Sequence, residues 1–236
     1  ATEVGRLLEQ AVKRQLVADV PVGSFLSGGI DSGAIVTLAA RQVPHLRTFT
    51  VGFDVRSVDG LELATDERDL AELVSHEAGT EHYEAVLKAG DMERVMPALA
   101  RAVEEPRVGQ SYPNYYAAQL AGKFGKVALS GTGSDELFGG YPWRYTDNER
   151  FWKERLLTAD LAQKLFPLFR NASGAFNFES LAGGTIDEAL RFEAKTFLHG
   201  LLVVEDKLAM AHGLEVRFPF LDNDLVDFAP RIPSRM

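Results

Sequence analysis

Apolar residues recur along this chain in two alternating patterns. Where they are spaced three and four residues apart they predict amphipathic helices, and where they form short β-branched runs they predict buried strands. The helical spacing predicts an opening helix that ends before Pro21. Its apolar face holds Val4, Leu7, Leu8, Ala11, Val12 and Leu16. A strand is predicted next over residues 22–26, and a helix over residues 32–41.

The alternation of strands and helices continues as far as residue 130. Strands are predicted over residues 48–53, 81–87 and 126–130, and helices over residues 67–78, 91–103 and 113–124, with a polar loop over 54–66. This order predicts an α/β fold in which a twisted parallel sheet is flanked by helices. Because ligands of such sheets bind beyond the carboxyl ends of the strands, we expect Ser27, Val51 and Ser130 to converge there.

The carboxyl-terminal part is predicted to be mainly helical. An aromatic cluster is expected at its start, formed by Tyr141, Trp143, Tyr145, Phe151 and Trp152, and a loop over residues 171–184. Helical spacing returns after Thr185. Further on, Glu215 and Arg217 are expected to form a partly buried structural ion pair, and Asp222 to cap a helix that runs through Phe228.

Composition and charge narrow the classes of function. The 236 residues carry a net charge of −9, which argues against a nucleic-acid partner, so a phosphate ligand would need local donors or a metal. The absence of cysteine excludes disulfides, cysteine-ligated zinc and a cysteine-dependent glutaminase within this chain. The longest apolar run, residues 201–204, is far shorter than a membrane span, and no signal peptide is evident. We therefore expect no membrane association and a cytoplasmic location.

The first candidate site is the turn from Ser27 to Ser32, which follows a predicted strand and opens a predicted helix. Gly28 and Gly29 lack Cβ atoms, so their backbone N–H groups can close around an anion, and the helix start adds its own donors. Neither a Walker lysine loop nor a G-x-G-x-x-G dinucleotide turn is present. The turn predicts a phosphate site, and an ordinary glycine turn with a helix cap is the alternative.

An acid within a phosphate-binding turn indicates a bridging cation. Asp31 would repel a phosphate unless Mg²⁺ joined the two, and Mg²⁺ is commonly held by one or two carboxylates together with phosphate oxygens. A second glycine-rich turn, from Ser130 to Tyr141, carries Asp135 in a similar setting. Asp31 and Asp135 are therefore predicted to hold one Mg²⁺. Glu136 either orients donors in the site or caps the next helix.

These two turns, with the later Met-Ala-His-Gly-Leu-Glu-Val-Arg-Phe-Pro-Phe-Leu-Asp segment, resemble the asparagine-synthetase branch of the ATP pyrophosphatase (pyrophosphate-loop) group. The resemblance spans nearly the whole chain. It implies an adenine-nucleotide α-hydrolase-like fold of the HUP type. It also implies a magnesium-dependent ligase that adenylates a carboxylate with ATP, releases pyrophosphate and transfers ammonia, with aspartate and asparagine as the default pair. The residues that it assigns to nucleotide binding are Leu26, Ser27, Gly28, Gly29, Asp31, Ser32, Val51, Gly52, Ser130 and Gly131, with adenine near Leu26, Val51 and Gly52.

Thr132 departs from the family pattern. Asparagine synthetases usually carry glutamate at the matching position and β-lactam synthetases tyrosine, and that residue handles the proton of the incoming amine. A threonine hydroxyl is a poor general base near neutral pH, although it can hydrogen-bond a nucleophile. Thr132 and Glu136 remain the catalytic candidates. Another carboxylate substrate, or a nucleotide-binding module without turnover, stays open.

The resemblance also bears on what surrounds this chain. It implies one domain over residues 1–236, with a nucleotide-binding core over 1–141 and a mainly helical part over 142–236. The family's amino-terminal glutaminase domain and a later lysine segment have no counterpart in the sequence. We expect a glutaminase domain in the full-length protein, and a homodimer remains open. The family preference for an acid near Asp66 makes Glu67 a further candidate site residue.

Overall fold

Five parallel strands form one sheet in the order β3-β2-β1-β4-β5. The computed structural model describes residues 1–54, 56–57, 66–105, 111–141, 186–195 and 197–233. Its strands are β1 (Val22–Phe25), β2 (Arg47–Phe53), β3 (Glu81–Leu87), β4 (Val127–Leu129) and β5 (Glu215–Arg217). The predicted α/β class with a parallel sheet is confirmed, since each crossover between neighbouring strands passes through helical segments.

Helices lie between the strands and follow the last of them. They are α1 (Thr2–Gln15), α2 (Ile30–Ala40), α3 (Arg68–Ala78), α4 (Asp91–Val103), α5 (Ser111–Gly122), α6 (Ser134–Phe138), α7 (Ile186–Lys195), α8 (Phe197–Met210) and α9 (Asn223–Phe228). Short 3₁₀ turns follow at Pro219–Leu221 and Ala229–Arg231. The predicted apolar face of α1 is buried at Leu7, Leu8, Ala11 and Val12. Helix α3 ends before Gly79, which adopts the left-handed conformation that glycine tolerates.

The core beside the central strands combines one large aromatic group with small residues. Phe49 on β2 packs with buried alanines of α5, β4 and α8, which are Ala118, Ala121, Ala128 and Ala209. Because alanine side chains are short, these helices can approach the sheet closely. A second cluster joins α4 to α8 through Leu99, Val103, Val204 and Leu208. These contacts hold α8 against the sheet, beside β4.

The strand β5 was not predicted from the sequence. It is three residues long. Leu214, Val216 and Phe218 alternate with Glu215 and Arg217, which is a strand pattern, but so short a run was interpreted only as an ion pair between apolar residues. Its pairing with β4 joins Val127 to Glu215 and Leu129 to Arg217. The predicted ion pair is confirmed, with Arg217 Nε 2.7 Å from Glu215 Oε1. Glu215 is nevertheless 59% exposed, so the expectation of a partly buried pair is wrong for its carboxylate.

Two further details concern the segment around β5. Arg217 also donates to the carbonyls of Gln15 and Val17, which ties β5 to the end of α1. Asp222 caps α9 as predicted, because its Oδ1 accepts the Asp224 N–H at 3.1 Å and its carbonyl accepts the N–H of Val226.

The chain divides into two compact units. One comprises Ala1–Gly133 and Gly200–Phe228, and the other Ser134–His199 and Ala229–Met236. The boundary expected after residue 141 is drawn on family resemblance and stays a prediction. The predicted aromatic cluster beyond Tyr141, the loop over 171–184 and most of the loop over 54–66 lie outside the described residues. Within the described ranges, no helix combines the length and apolar character that a membrane crossing requires.

Candidate active site

The turn between β1 and α2 is closed by its two serines. The Ser27 N–H donates to Ser32 Oγ at 3.1 Å, and the two hydroxyl oxygens lie 3.0 Å apart. Ser27 Oγ accepts the Gly29 N–H at 3.3 Å, while Ser32 Oγ donates to the Gly29 carbonyl at 3.3 Å. These bonds fix the shape of the turn, with serine hydroxyls and backbone N–H groups held close together.

Glycine is required at position 28 by both conformation and space. Gly28 has a φ of +83°. A Cβ there would lie 2.7 Å from Leu70 Cβ and 2.8 Å from the Ala71 nitrogen, so the turn packs directly on the start of α3. Gly29 is the N-cap residue of α2 and has no side chain to satisfy the first turn. The first N–H groups of α2 are therefore free of capping by residue 29 and available to an anion.

The two glycine-rich turns meet at the ends of neighbouring strands. Ser24 pairs with Leu129 across β1 and β4, so the residues that follow both strands emerge side by side. A Cβ on Gly131 would lie 3.2 Å from the Ser32 nitrogen and 3.4 Å from Asp31 Cβ. The predicted convergence of Ser27 and Ser130 is confirmed in this arrangement, and Asp31 lies in the first turn of α2 at the junction.

The residues that are predicted to contact adenine lie where β2 extends beyond its pairing with β1. The register between these strands ends at the pair Phe25–Phe49, whereas β2 continues to Phe53. Leu26 donates its N–H to the Phe49 carbonyl at 3.0 Å, and its own carbonyl accepts the Thr50 hydroxyl. The Leu26 side chain is only 1% exposed, so any contact with a ligand would involve its backbone. Val51 lies beyond that register, beside the same turn.

The absence of a side chain at Gly52 has a structural reason within the protein. A Cβ there would overlap the Arg68 side chain. Arg68 donates to the Phe53 carbonyl at 2.8 Å and holds the Asp66 carboxylate with both Nε and Nη2. Asp66 in turn accepts the Phe53 N–H at 3.1 Å. The family resemblance implies a backbone contact between adenine and Gly52, and that contact stays a prediction; the Arg68 side chain beside Gly52 was not expected from the sequence.

Asp66 and Glu67 lie in opposite electrostatic settings. Burial opposes ionisation of Asp66, but the Arg68 guanidinium and the N–H groups of Phe53 and Arg68 together lower its pKa. Burial raises the pKa of Glu67, although a hydrogen bond from Ser27 acts in the other direction. Glu67, singled out by family preference alone, therefore touches the serine that opens the phosphate turn.

The partly buried carboxyl group of Glu205 lies next to Thr132. The Thr132 hydroxyl donates to Glu205 Oε2 at 2.7 Å, and Ser130 Oγ donates to Thr132 Oγ1 at 3.1 Å. Burial raises the pKa of Glu205, and the hydroxyls of Ser130 and Thr132 oppose that shift. Glu205 was not predicted as a site residue, because it lies 73 residues from Thr132 in the chain and belongs to a helical pattern. Glu205 is followed directly by Asp206 and Lys207 in α8, so the local sequence did not distinguish it from an exposed charged segment.

In the second unit, Asp135 and Glu136 belong to the short helix α6. Glu136 is 2% exposed and accepts the Tyr141 hydroxyl at 3.0 Å. Burial raises its pKa, and the carboxylates of Asp135 and Glu193 act in the same direction. The alternative in which Glu136 caps the next helix is wrong, because α6 begins at Ser134 and contains Glu136. The Asp135 carboxyl group lies against Gly140, where a Cβ would overlap it.

The side chains at the two turns suit a metal ion that takes most of its coordination from a bound phosphate and from water. Within the described residues, no group of three or more His, Asp or Glu side chains gathers to form a metal site. A single carboxylate such as Asp31 beside a phosphate turn fits Mg²⁺, which takes much of its coordination from phosphate oxygens and water. Asp31 belongs to the first unit and Asp135 to the second, and their joint role as ligands stays a prediction.

Comparison with known proteins agrees with the resemblance. Residues 3–236 match the family model for asparagine synthase. A putative glutamine-hydrolyzing asparagine synthetase of Mycobacterium tuberculosis (strain ATCC 25618 / H37Rv) is 31% identical, over 98% of this chain and 42% of the relative. Glutamine-hydrolyzing asparagine synthetases 1 and 3 of Bacillus subtilis (strain 168) are 29% and 32% identical, over 99% of this chain. The chain spans 44% and 42% of those two proteins.

Proposed function

Because the chain belongs to the asparagine synthase family, we propose that it is the ATP-dependent synthetase domain of an amide ligase. Its substrate carboxylate, by default the β-carboxylate of aspartate, attacks the α-phosphorus of ATP and displaces pyrophosphate. Ammonia then attacks the acyl carbon of the aspartyl adenylate, AMP leaves, and asparagine is the product.

The observation that carries this proposal is the packing of the Gly131 turn against Asp31 and Ser32. A Cβ on Gly131 would lie 3.2 Å from the Ser32 nitrogen, so the two hydroxyl- and glycine-rich turns form one continuous surface. Pyrophosphate would be held by the N–H groups of Gly28 and Gly29 and by the hydroxyls of Ser27 and Ser32. A preorganised set of donors stabilises the charge that develops as pyrophosphate leaves.

The remaining ligand contacts follow from the same edge of the sheet. Adenine would lie beside the backbone of Leu26, Val51 and Gly52, where β2 extends beyond its pairing with β1. Asp31 and Asp135 would hold Mg²⁺, which supplies positive charge that lowers the repulsion between the triphosphate and the attacking carboxylate. Ser130 and Gly131 would line the side of the site that faces the acyl group.

The amine step is assigned to the surroundings of Thr132. Its hydroxyl is held by Glu205 and Ser130, at the end of the strand next to the phosphate turn. Because relatives named glutamine-hydrolyzing are longer than this chain, we propose that a glutaminase domain supplies ammonia in the full-length protein. Cytoplasm is the proposed compartment, since ATP and aspartate are both available there.

One alternative has a specific observation in its favour. Threonine at position 132, where a family pattern of glutamate was expected, leaves room for a carboxylate substrate other than aspartate. The pocket around the acyl group would carry less negative charge and have a different shape, because a neutral threonine replaces an ionised glutamate.

ATP–pyrophosphate exchange tests the proposal directly. The full-length protein would be supplied with ATP, Mg²⁺, labelled pyrophosphate and a panel of carboxylic acids with aspartate first. Exchange that depends on aspartate supports the proposed reaction, and exchange that depends on another acid alone supports the alternative substrate. ATP binding without exchange on any acid would overturn the proposal in favour of a nucleotide-binding module.

A further inference from the structure

The side of β2 that faces β1 stays open beyond the point where β1 ends. The Phe49 carbonyl accepts the N–H of Leu26, which is the last backbone hydrogen bond between these two segments among the described residues. Backbone groups point alternately to the two sides of a strand, so Val51 and Phe53 turn their N–H and carbonyl groups to the same side as Phe49. The N–H of Asp54 donates to β3 on the opposite side, as this alternation requires.

At Phe53 two side chains take the place of a neighbouring strand. The Asp66 carboxylate accepts the Phe53 N–H at 3.1 Å, and the Arg68 guanidinium donates to the Phe53 carbonyl at 2.8 Å. Arg68 also holds that carboxylate through Nε and Nη2, so the acceptor and the donor belong to one ion pair. A neighbouring strand would supply an acceptor and a donor of the same kind. The pair therefore extends the sheet by one backbone pairing.

The glycine at position 52 permits this arrangement. A Cβ on Gly52 would overlap the Arg68 side chain, so the arginine stem crosses β2 where any other residue would place its own side chain. The side chains of Arg68 and Asp66 are 25% and 12% exposed, so their bonds are less weakened by water than those of an open surface pair. The position of the guanidinium group is thus fixed by the strand itself.

Val51 lies between the two pairings. Among the described residues, neither its N–H nor its carbonyl has a partner on the β1 side. The Leu26 carbonyl, which a longer β1 would offer to the Val51 N–H, accepts the Thr50 hydroxyl instead. The opening in the sheet is therefore one residue long and presents one donor and one acceptor, and Val51 is partly exposed there.

Adenine carries a complementary donor and acceptor. Its N1 accepts a hydrogen bond and its 6-amino group donates one, so a single strand residue can bond both. Hypoxanthine and guanine carry a proton on N1 and an oxygen on C6, and they would set donor against donor and acceptor against acceptor. A site built from fixed hydrogen-bonding groups rejects an analogue that leaves those groups unpaired.

We propose that the Asp66–Arg68 pair sets the preference of this site for adenine over 6-oxopurines. The inference rests on the proposed function, which places ATP at this edge of the sheet. Asp66 and Arg68 act as positioning residues: they hold Phe53 as a strand would, and they thereby fix the direction of the N–H and carbonyl of Val51. The base contacts Val51 and not the pair. Without the pair, the end of β2 is free to turn, and Val51 loses the fixed geometry on which discrimination depends.

Nucleotide binding tests the inference without any need for turnover. Dissociation constants of ATP and ITP would be measured with Mg²⁺ by isothermal titration on the full-length protein. The ribose and the triphosphate are identical in the two nucleotides, so the ratio of the two constants reports the base contact alone. Arg68→Met removes every donor of the guanidinium, and Arg68→Lys is the conservative variant. Arg41→Met, a change of an exposed arginine at the end of α2, is the matched control.

We expect wild type to bind ATP more tightly than ITP. In Arg68→Met the dissociation constant for ATP should rise about 10-fold, roughly the effect of one hydrogen bond, while that for ITP should change by less than about twofold. Arg68→Lys should recover part of the ratio, because an ammonium group can bond the Phe53 carbonyl but cannot hold a carboxylate in bidentate geometry. Gly52→Ala should lower the ratio as Arg68→Met does, since its Cβ would displace the arginine stem. Arg41→Met should match wild type.

Three results would overturn the inference. If the ratio is unchanged in Arg68→Met, whether both affinities fall equally or neither falls, the pair has a structural role only. If wild type binds ATP and ITP equally, the site has no such preference. If wild type binds neither nucleotide, the proposed function fails and the inference fails with it. Should Arg68→Met not fold, a ratio in Arg68→Lys equal to that of wild type would overturn the inference.

The same measurements distinguish this inference from the proposed reaction. If wild type prefers ATP and Arg68→Met loses that preference, while no acid supports ATP–pyrophosphate exchange, the proposed ligase reaction fails and the role of the pair in base selection stands.

Discussion

The Arg68 guanidinium holds the Asp66 carboxylate in a bidentate ion pair, with Nη2 2.8 Å from Oδ2, and fills the space next to Gly52. Both residues also bind the backbone of Phe53, since Asp66 accepts its N–H and Arg68 donates to its carbonyl. Because Phe53 ends β2, this pair fixes the strand end to the start of α3, on which Gly28 of the phosphate turn packs. Planar, bidentate geometry of this kind is specific to arginine.

Asp66→Asn should destabilise the protein by about 1–3 kcal/mol at neutral pH, because it removes the charged partner of a partly buried arginine. The pKa of Asp66 is lowered in the folded state, so its contribution is present above the unfolded pKa of about 4 and is lost as the pH falls through the folded value. Urea unfolding from pH 7 to pH 3 should show the difference between variant and wild type shrinking toward acid pH. Glu72→Gln, an exposed change on the same helix, is the control, and a difference that stays constant with pH would contradict the assignment.

Gly28→Ala should cost roughly 3 kcal/mol or more, since a left-handed φ adds to overlap with the backbone of α3. Gly79→Ala is the matched control: its φ is +68°, but its Cβ would meet nothing within 4 Å. We expect about 1 kcal/mol there, from conformation alone. Thermal unfolding gives both values, and equilibrium binding of Mg-ATP should weaken only for Gly28→Ala. Equal losses in the two variants would show that packing on α3 is unimportant.

Asp31→Asn and Asp135→Asn should each weaken Mg-ATP binding about 10-fold or more, because each removes a proposed ligand of the cation. For Asp31→Asn the effect on affinity should reverse when EDTA removes the Mg²⁺. Free ATP should bind this variant at least as well as wild type, because the carboxylate that repels the phosphates has been replaced by a neutral amide. Isothermal titration with and without Mg²⁺ measures both affinities. Asp19→Asn, an exposed change outside the site, controls for net charge. Unchanged Mg-ATP affinity in both variants would eliminate this metal assignment.

Tyr141→Phe should destabilise the protein by about 1–2 kcal/mol near neutral pH, because Glu136 loses the hydroxyl that favours its ionised form. Burial already raises the pKa of Glu136 in the folded state, and removal of the Tyr141 hydroxyl should raise that pKa further. The loss of stability caused by Tyr141→Phe should therefore decline as the pH falls and Glu136 becomes protonated. Tyr116→Phe is the matched control, since its hydroxyl donates at 3.0 Å to the neutral carbonyl of Asp91. Unfolding from pH 8 to pH 5 should show a pH-dependent cost for Tyr141→Phe and a constant one for Tyr116→Phe. The same pH trend in both would argue that Glu136 is not the group involved.

Local sequence was informative where the chemistry is carried by one short segment. The turn from Ser27 to Ser32 could be recognised because glycine, serine and an acid follow a buried strand and open a helix, and all of its internal hydrogen bonds are local. The predicted bounds of β3 and α4 coincide with the observed ones, Glu81–Leu87 and Asp91–Val103. The spacing of apolar residues, together with residues that interrupt regular structure, determines such elements without contributions from distant parts of the chain.

Glu136 shows where local pattern misled the interpretation. An acid soon after a glycine-rich turn is a typical capping residue, and its position in the chain gave no sign of burial. The fold instead places its carboxyl group among Tyr141, Asp135 and Glu193, which lies on α7. Burial depends on what packs over a residue, and that was not available from the neighbouring sequence.

By itself, the sequence determined the parallel α/β class, the two glycine-rich turns and the residues within them, because periodicity and turn chemistry act over a few positions. Tertiary structure alone decided that β5 completes the sheet, that Arg68 occupies the space beside Gly52, and that Glu205 supports Thr132. Each of these features either joins residues that are far apart in the chain or depends on which side chain fills a given space. Such contacts form only when packing of the whole core brings the elements together, so no local pattern encodes them.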